Sequence, residues 1–136
     1  MTLKNLVILV DADEVLFDFV AGAARVHGVE PESLNAYRTP GIWSISDPLG
    51  ELVLGRPFTQ EEFWAPINEA KETFWENLEP LPWFKELIEF VEEHSREWHI
   101  VSAPSRCPTS YNGKVRAFKK VFGKDFDRFI LTPHKH

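Results

Sequence analysis

Five consecutive apolar residues, Leu6-Val7-Ile8-Leu9-Val10, run directly into Asp11-Ala12-Asp13. The run shows no polar alternation, so it predicts a short strand buried on both faces, as in a parallel sheet. Two carboxylates two residues apart at the end of such a strand repel each other in a partly dry place. A scaffold alone does not require them. A hard cation such as magnesium resolves the conflict, because it takes carboxylate and main-chain carbonyl oxygens. Asp11 is then suited to attack phosphorus as a nucleophile, and Asp13 to act as acid and base. The plainer alternative is that Asp13 only caps a helix over residues 15–26. For an Asp-x-Asp pair by itself the two readings are balanced.

The rest of the chain alternates helical and strand patterns. Apolar residues at 15, 16, 19, 20 and 23 have helical spacing, and Gly28 stops that helix. Pro31–Leu34 begins a short second helix. Residues 38–58 carry Pro40, Gly41, Pro48, Gly50, Gly55 and Pro57, which predicts loop with one helical turn. Thr59 and Glu62 form a capping box for the next helix. Pro66 is expected to interrupt that helix or to open another over Ile67–Leu78, ended by Pro80 and Pro82. Phe84, Leu87, Ile88 and Val91 share one helical face. His99–Ala103 reads as a second strand, Val115–Phe122 as a helix stopped at Gly123, and Phe129–Leu131 as a third strand.

Strands alternating with helices imply an α/β fold with a parallel sheet and right-handed crossovers. The expected organisation is a core of residues 1–14 and 80–136, with a helical cap of residues 15–79 inserted after the first strand. Ligands of open parallel sheets bind beyond the carboxyl ends of the strands. Here those ends carry Asp11 and Asp13, Ser102, and Thr132 with Lys135.

A net charge of −6 over 136 residues argues against a nucleic-acid polymer as partner, since phosphate backbones need basic surfaces. A small anion remains compatible, because one metal ion and one lysine reverse the sign locally. No apolar run approaches the ~20 residues that span a membrane. Cys107 is the single cysteine, which excludes an internal disulfide and leads to a cytoplasmic expectation. Five Trp and eleven Phe make the chain rich in aromatics, which fill cores by default. Trp43, Phe63, Trp64, Phe74 and Trp75 are candidates for stacking on a nucleobase, with more of them expected in the core than in a pocket. Two histidines near the end, His134 and His136, lack a ligand partner motif, so zinc is not expected.

Val10-Asp-Ala-Asp-Glu-Val-Leu-Phe-Asp-Phe19 resembles the first motif of haloacid dehalogenase phosphatases, in particular the 5'(3')-deoxyribonucleotidase branch. Leu78-Glu-Pro-Leu-Pro82, Ile100-Val-Ser-Ala-Pro104, Cys107-Pro108, Lys114, Phe122-Gly-Lys-Asp-Phe126 and Ile130-Leu-Thr-Pro-His-Lys135 resemble that branch too. The resemblance is patchy between residues 20 and 77. It implies a Rossmann-like core, magnesium as cofactor, and a nucleoside monophosphate as substrate. By the same resemblance, Asp11 is nucleophile and metal ligand. Asp13 is acid/base and gives the metal its carbonyl. Ser102 bonds the phosphate with Ala103 beside it, and Lys114 or Lys135 is the third-motif cation. Trp43, Phe74 and Trp75 fall among the substrate contacts, and Arg56 and Arg106 are weaker phosphate candidates.

Three departures stand out. Glu14 replaces a glycine, Trp83 stands where a glycine is usual, and the acidic pair of the last motif is not found before His136. The expected consequences are weaker magnesium binding and an exposed first strand that a second copy, a rearranged helix or a further segment must cover, with a homodimer as the expected form. The rival expectations are a phosphatase for another small phosphate monoester, or an impaired relative that binds a nucleotide or a protein.

Overall fold

The computed structural model describes residues 3–134; the first two residues, Lys135 and His136 lie outside the described residues. The chain is mixed α/β. Strands β1 (Val7–Asp11), β2 (Glu97–Ser102) and β3 (Phe129–Leu131) form one parallel sheet in the order β1-β2-β3. β1 is displaced by one residue from the apolar run, which makes Asp11 its last member. β2 starts two residues before the expected His99, because its ladder to β1 opens at Val7↔Glu97.

Six α-helices are described: α1 (Phe19–Val26), α2 (Ser46–Leu54), α3 (Gln60–Glu69), α4 (Glu72–Glu76), α5 (Phe84–His94) and α6 (Pro108–Phe122). A 3-10 turn covers Pro31–Ala36. Four expectations need correction. Helix α1 begins at Phe19, not Val15, because Asp18 caps it by accepting from the Ala21 N–H at 2.9 Å. Residues 46–54 are a nine-residue helix where loop was expected. Its Pro48 sits in the first turn, where no N–H is needed. Its Gly50 lies where a Cβ would collide with the backbone of residues 56–58. Pro66 lies inside α3 without ending it, and the break falls at Lys71, whose φ is 55°. Ile67–Leu78 is therefore not one helix. The Thr59–Glu62 capping box is present in both directions, at 3.1 and 2.9 Å.

The chain leaves the sheet and returns to it at one place. Asp18 N–H donates to the Glu79 carbonyl (2.8 Å), and Leu81 N–H to the Leu16 carbonyl (2.9 Å). The segment from α1 to α4 thus starts and ends side by side. Its far end is packed onto α6, because α4 lies against that helix. Gly113 permits the approach: a Cβ there would stand 2.6 Å from Trp75 Cβ and 2.8 Å from the Glu72 carbonyl.

The two faces of the sheet differ. Val10, Trp98 and Ile100 are buried on one face, in a single core with Ile88 and Val91 of α5 and Ala117 and Phe118 of α6. Strand order in one direction with right-handed crossovers puts both helices on that face. The other face carries Val7, Leu9 and Ile130, with Leu9 60% exposed. β1 is the sheet edge, with no strand on its outer side among the described residues. Among the described residues no helix is long and apolar enough to cross a membrane.

Gly113→Ala tests the α4–α6 approach. Overpacking costs about 1–3 kcal/mol, against ~1 kcal/mol of helix propensity gained by alanine. Thermal denaturation is expected to show a Tm lower by roughly 3–6 °C. A Tm at or above wild type would mean that α4 stands farther from α6 than described.

Candidate active site

Beyond β1 the chain folds into a tight loop instead of a helix. The Ala12 carbonyl accepts from the N–H groups of Leu16 (2.8 Å) and Phe17 (3.0 Å), and the Glu14 N–H donates to the Phe17 carbonyl (2.8 Å). The Trp83 indole N–H, from the start of α5, donates to the Val15 carbonyl at 2.7 Å and braces the loop. The indole thus gives Trp83 a structural role at this position.

The loop sets Glu14 at a φ of 62°, a left-handed conformation that glycine adopts freely. Glutamate is strained there by roughly 1–3 kcal/mol. Its carboxylate offsets part of that cost by accepting from the Val20 N–H in the first turn of α1, at 2.8 Å. Glu14 is therefore turned toward α1. Burial pushes its carboxyl above the ordinary carboxylate range. The Val20 hydrogen bond opposes that shift, Asp18 and Asp13 add to it, and Arg38 counters it.

Asp13 points the other way. Lys114, in the second turn of α6, donates to both of its carboxylate oxygens at 2.9 Å. The lysine is 3% exposed, while the Asp13 side chain keeps a third of its surface in solvent. The Lys114 Nζ also lies 4.7 Å from the centre of the Trp75 ring. Lys114 is thus a buried, paired cation and not a solvated helix lysine.

Ser102 is buried as the last residue of β2, and its carbonyl accepts from the Thr132 N–H at 3.1 Å. The register sets Asp11 beside Val101, so Ser102 lies one residue beyond it at the same end of the sheet. Ala103 follows and is exposed. The loop from 103 to 107 is pinned by Ser110, a residue that sequence reasoning missed. Its buried hydroxyl donates to the Cys107 carbonyl (2.8 Å) and reaches the Ser105 carbonyl (3.1 Å). Asp11, Asp13, Ser102 and Lys114 therefore belong to one end of the sheet. Lys135 lies outside the described residues.

A cleft of about 520 Å³ opens between α3 and this loop. Gln60, Glu61, Trp64 and Asn68 form one wall, and Ser105 and Arg106 belong to the other. Of the aromatic candidates, Trp64 is the one that lines it. Phe63, Phe74 and Trp75 are core residues, with Trp75 stacked against Phe19 at 5.7 Å. Trp43 is 87% exposed on the loop before α2. Arg56 is held by Glu62 in a two-pronged pair at 2.9 and 2.8 Å, which lowers the Glu62 carboxyl to about 2. It is engaged within the α2–α3 connection, whereas Arg106 faces the cleft.

Among the described residues no group of three metal-ligating side chains gathers. The donors at the end of β1 are the Asp11 carboxylate and the Asp13 main-chain carbonyl. The Asp11 carboxylate accepts from the Ala12 N–H at 2.8 Å. The Asp13 carbonyl accepts no hydrogen bond from any described residue. Two such oxygens suit magnesium, which takes its other ligands from substrate phosphate and water. No protein-family model matches the chain, and no curated protein matches its sequence at a significant level.

The Glu14 shift has a direction that can be checked. A raised carboxyl contributes stability below the ordinary carboxylate range, and that contribution is lost as pH rises through the folded-state value. Glu14→Gln keeps the acceptor for Val20 and removes the titration. Relative to wild type, the variant is expected to gain stability between about pH 4 and pH 7 in urea denaturation. An identical difference at both pH values would show that the carboxylate is solvated.

Proposed function

We propose that the chain is a magnesium-dependent phosphomonoesterase of the haloacid dehalogenase type, acting on small phosphate esters and on (deoxy)nucleoside monophosphates foremost. The observation that carries this reading is the buried Lys114 ion-paired with Asp13 at the carboxyl end of β1, with Ser102 ending the neighbouring strand. Scaffold needs do not explain an ammonium and three oxygen-bearing side chains gathered at one end of a parallel sheet. The helical segment 15–79 acts as the cap in this reading, and the cleft beside Trp64 receives the leaving group. The free thiol of Cys107 is compatible with a cytoplasmic setting.

The chemistry follows from the residues. An Asp11 carboxylate oxygen attacks phosphorus, the ester P–O bond breaks, and an aspartyl phosphate forms. The departing alkoxide takes a proton from Asp13. Asp13 then removes a proton from water, whose oxygen attacks the phosphorus, releasing inorganic phosphate and restoring Asp11. The Ser102 hydroxyl bonds a phosphoryl oxygen. An arriving phosphate dianion competes with Asp13 for Lys114, so the lysine loosens its hold on the carboxyl that must carry the proton. The Asp11 carboxylate and the Asp13 carbonyl would hold a magnesium ion, which would supply neutralisation of phosphoryl charge.

The same proposal includes assembly. A purely parallel sheet is normally covered on both faces, yet among the described residues nothing covers one face or the β1 edge. We infer a homodimer in which β1 pairs with β1 of a second copy. Two-fold symmetry makes that pairing antiparallel.

Two measurements test these readings. With magnesium and a panel of nucleoside monophosphates, Asp11→Asn is expected to lose at least ~10³-fold in kcat/KM. Arg56→Ala is expected to stay within about twofold of wild type, since its guanidinium is engaged by Glu62. Undiminished turnover in the Asp11 variant would remove it as nucleophile. Light scattering is expected to report a dimer that Leu9→Lys converts to monomer; a wild-type monomer would overturn the pairing.

A further inference from the structure

We propose that Trp75 is a positioning residue for Lys114, and not a stacking surface for the substrate. This rests on the phosphatase reading for its catalytic consequence, but its geometry does not. An ammonium has three N–H donors. Lys114 spends its bonds on the two oxygens of Asp13, and its Nζ lies 4.7 Å from the centre of the Trp75 ring. Both residues are 3% exposed, so water has little access to the lysine. The negative face of the indole is the one further partner that the buried cation has among the described residues.

The ring is held in place from several sides. Phe19 stacks on it at 5.7 Å, Trp64 lies parallel at 6.5 Å, and Phe74 meets it edge-on at 5.0 Å. Its backbone is fixed by the close approach of α4 to α6 at Gly113, the residue directly before Lys114. The glycine and the lysine thus form a unit with Trp75, one admitting its helix and the other meeting its ring.

The consequence is a cation with restricted freedom. Lys114 must pass from Asp13 toward an arriving phosphate and back. A fixed π face gives it a surface to stay on during that exchange, where a solvated lysine would swing away. Removal of the ring therefore harms the chemical step more than binding. A residue stacked on substrate would show the opposite pattern, with KM moving first.

The test uses the full chain and the variants Trp75→Phe, Trp75→Leu and Lys114→Met. In nitrogen-detected spectra of the side-chain ammonium groups, Lys114 in wild type is expected to give a slowly exchanging signal, shifted upfield by the indole ring and absent in Lys114→Met. That result needs no activity. A Lys114 signal at the position of solvated lysines would overturn the proposal, even if the Leu variant failed to fold. With nucleoside monophosphates, Trp75→Leu is expected to lose about tenfold in kcat with KM within about twofold, and Trp75→Phe to recover most of it. Equal loss in Phe and Leu, or a rise in KM alone, would also overturn it. An inactive wild type with the shifted ammonium signal would sink the phosphatase reading and leave the placement of Lys114 intact.

Discussion

One ion pair organises the molecule. Lys114 and Asp13 are 101 positions apart in sequence, and their contact ties α6 to the loop that leaves β1. Burying an ammonium costs several kcal/mol unless charge and hydrogen bonds compensate it. Asp13 supplies the charge, and the Trp75 ring covers what remains. Around the pair, Gly113 admits α4 against α6, and Ser110 in the first turn of α6 holds the 103–107 loop.

The sequence foretold the parts that follow from periodicity and from short-range chemistry. Three short apolar runs became three parallel strands, and the Thr59–Glu62 box capped its helix as the spacing demands. Asp13 and Lys114 were each recognised as candidates, yet nothing local in the sequence announces that they touch. That contact is long-range. Proline and glycine were over-read. Pro48 and Gly50 lie within a helix because the first turn needs no N–H at one and a close backbone approach excludes a side chain at the other. The strain at Lys71, not Pro66, ends α3. The aromatic residues were hardest to sort, since composition does not distinguish Trp64 on a cleft wall from Trp75 over a lysine or Trp43 in solvent.

The segment between β1 and α5 is anchored at two points. Its ends pair at residues 16–18 and 79–81, and α4 is seated on α6. The remaining freedom lies toward α3, whose exposed Gln60, Glu61 and Asn68 face the 103–107 loop across the open cleft. Access to the strand ends is therefore expected from the α3 side, with the α4 side closed by packing that only glycine allows.

The sheet order also bears on how the molecule comes together. β2, α6 and β3 are consecutive in the chain, so this unit needs only short loop closures and can form early. β1 pairs with β2 across the whole helical segment, so this pairing carries the larger loop-closure entropy. The charge pair is assembled at that same step, because Asp13 follows β1 and Lys114 waits on α6. A chain in which β1 has not docked can keep its β2–β3 ladder but lacks the Asp13–Lys114 pair. It would also leave Lys114 without its carboxylate, so the buried cation gains its partner only with the last piece of the sheet.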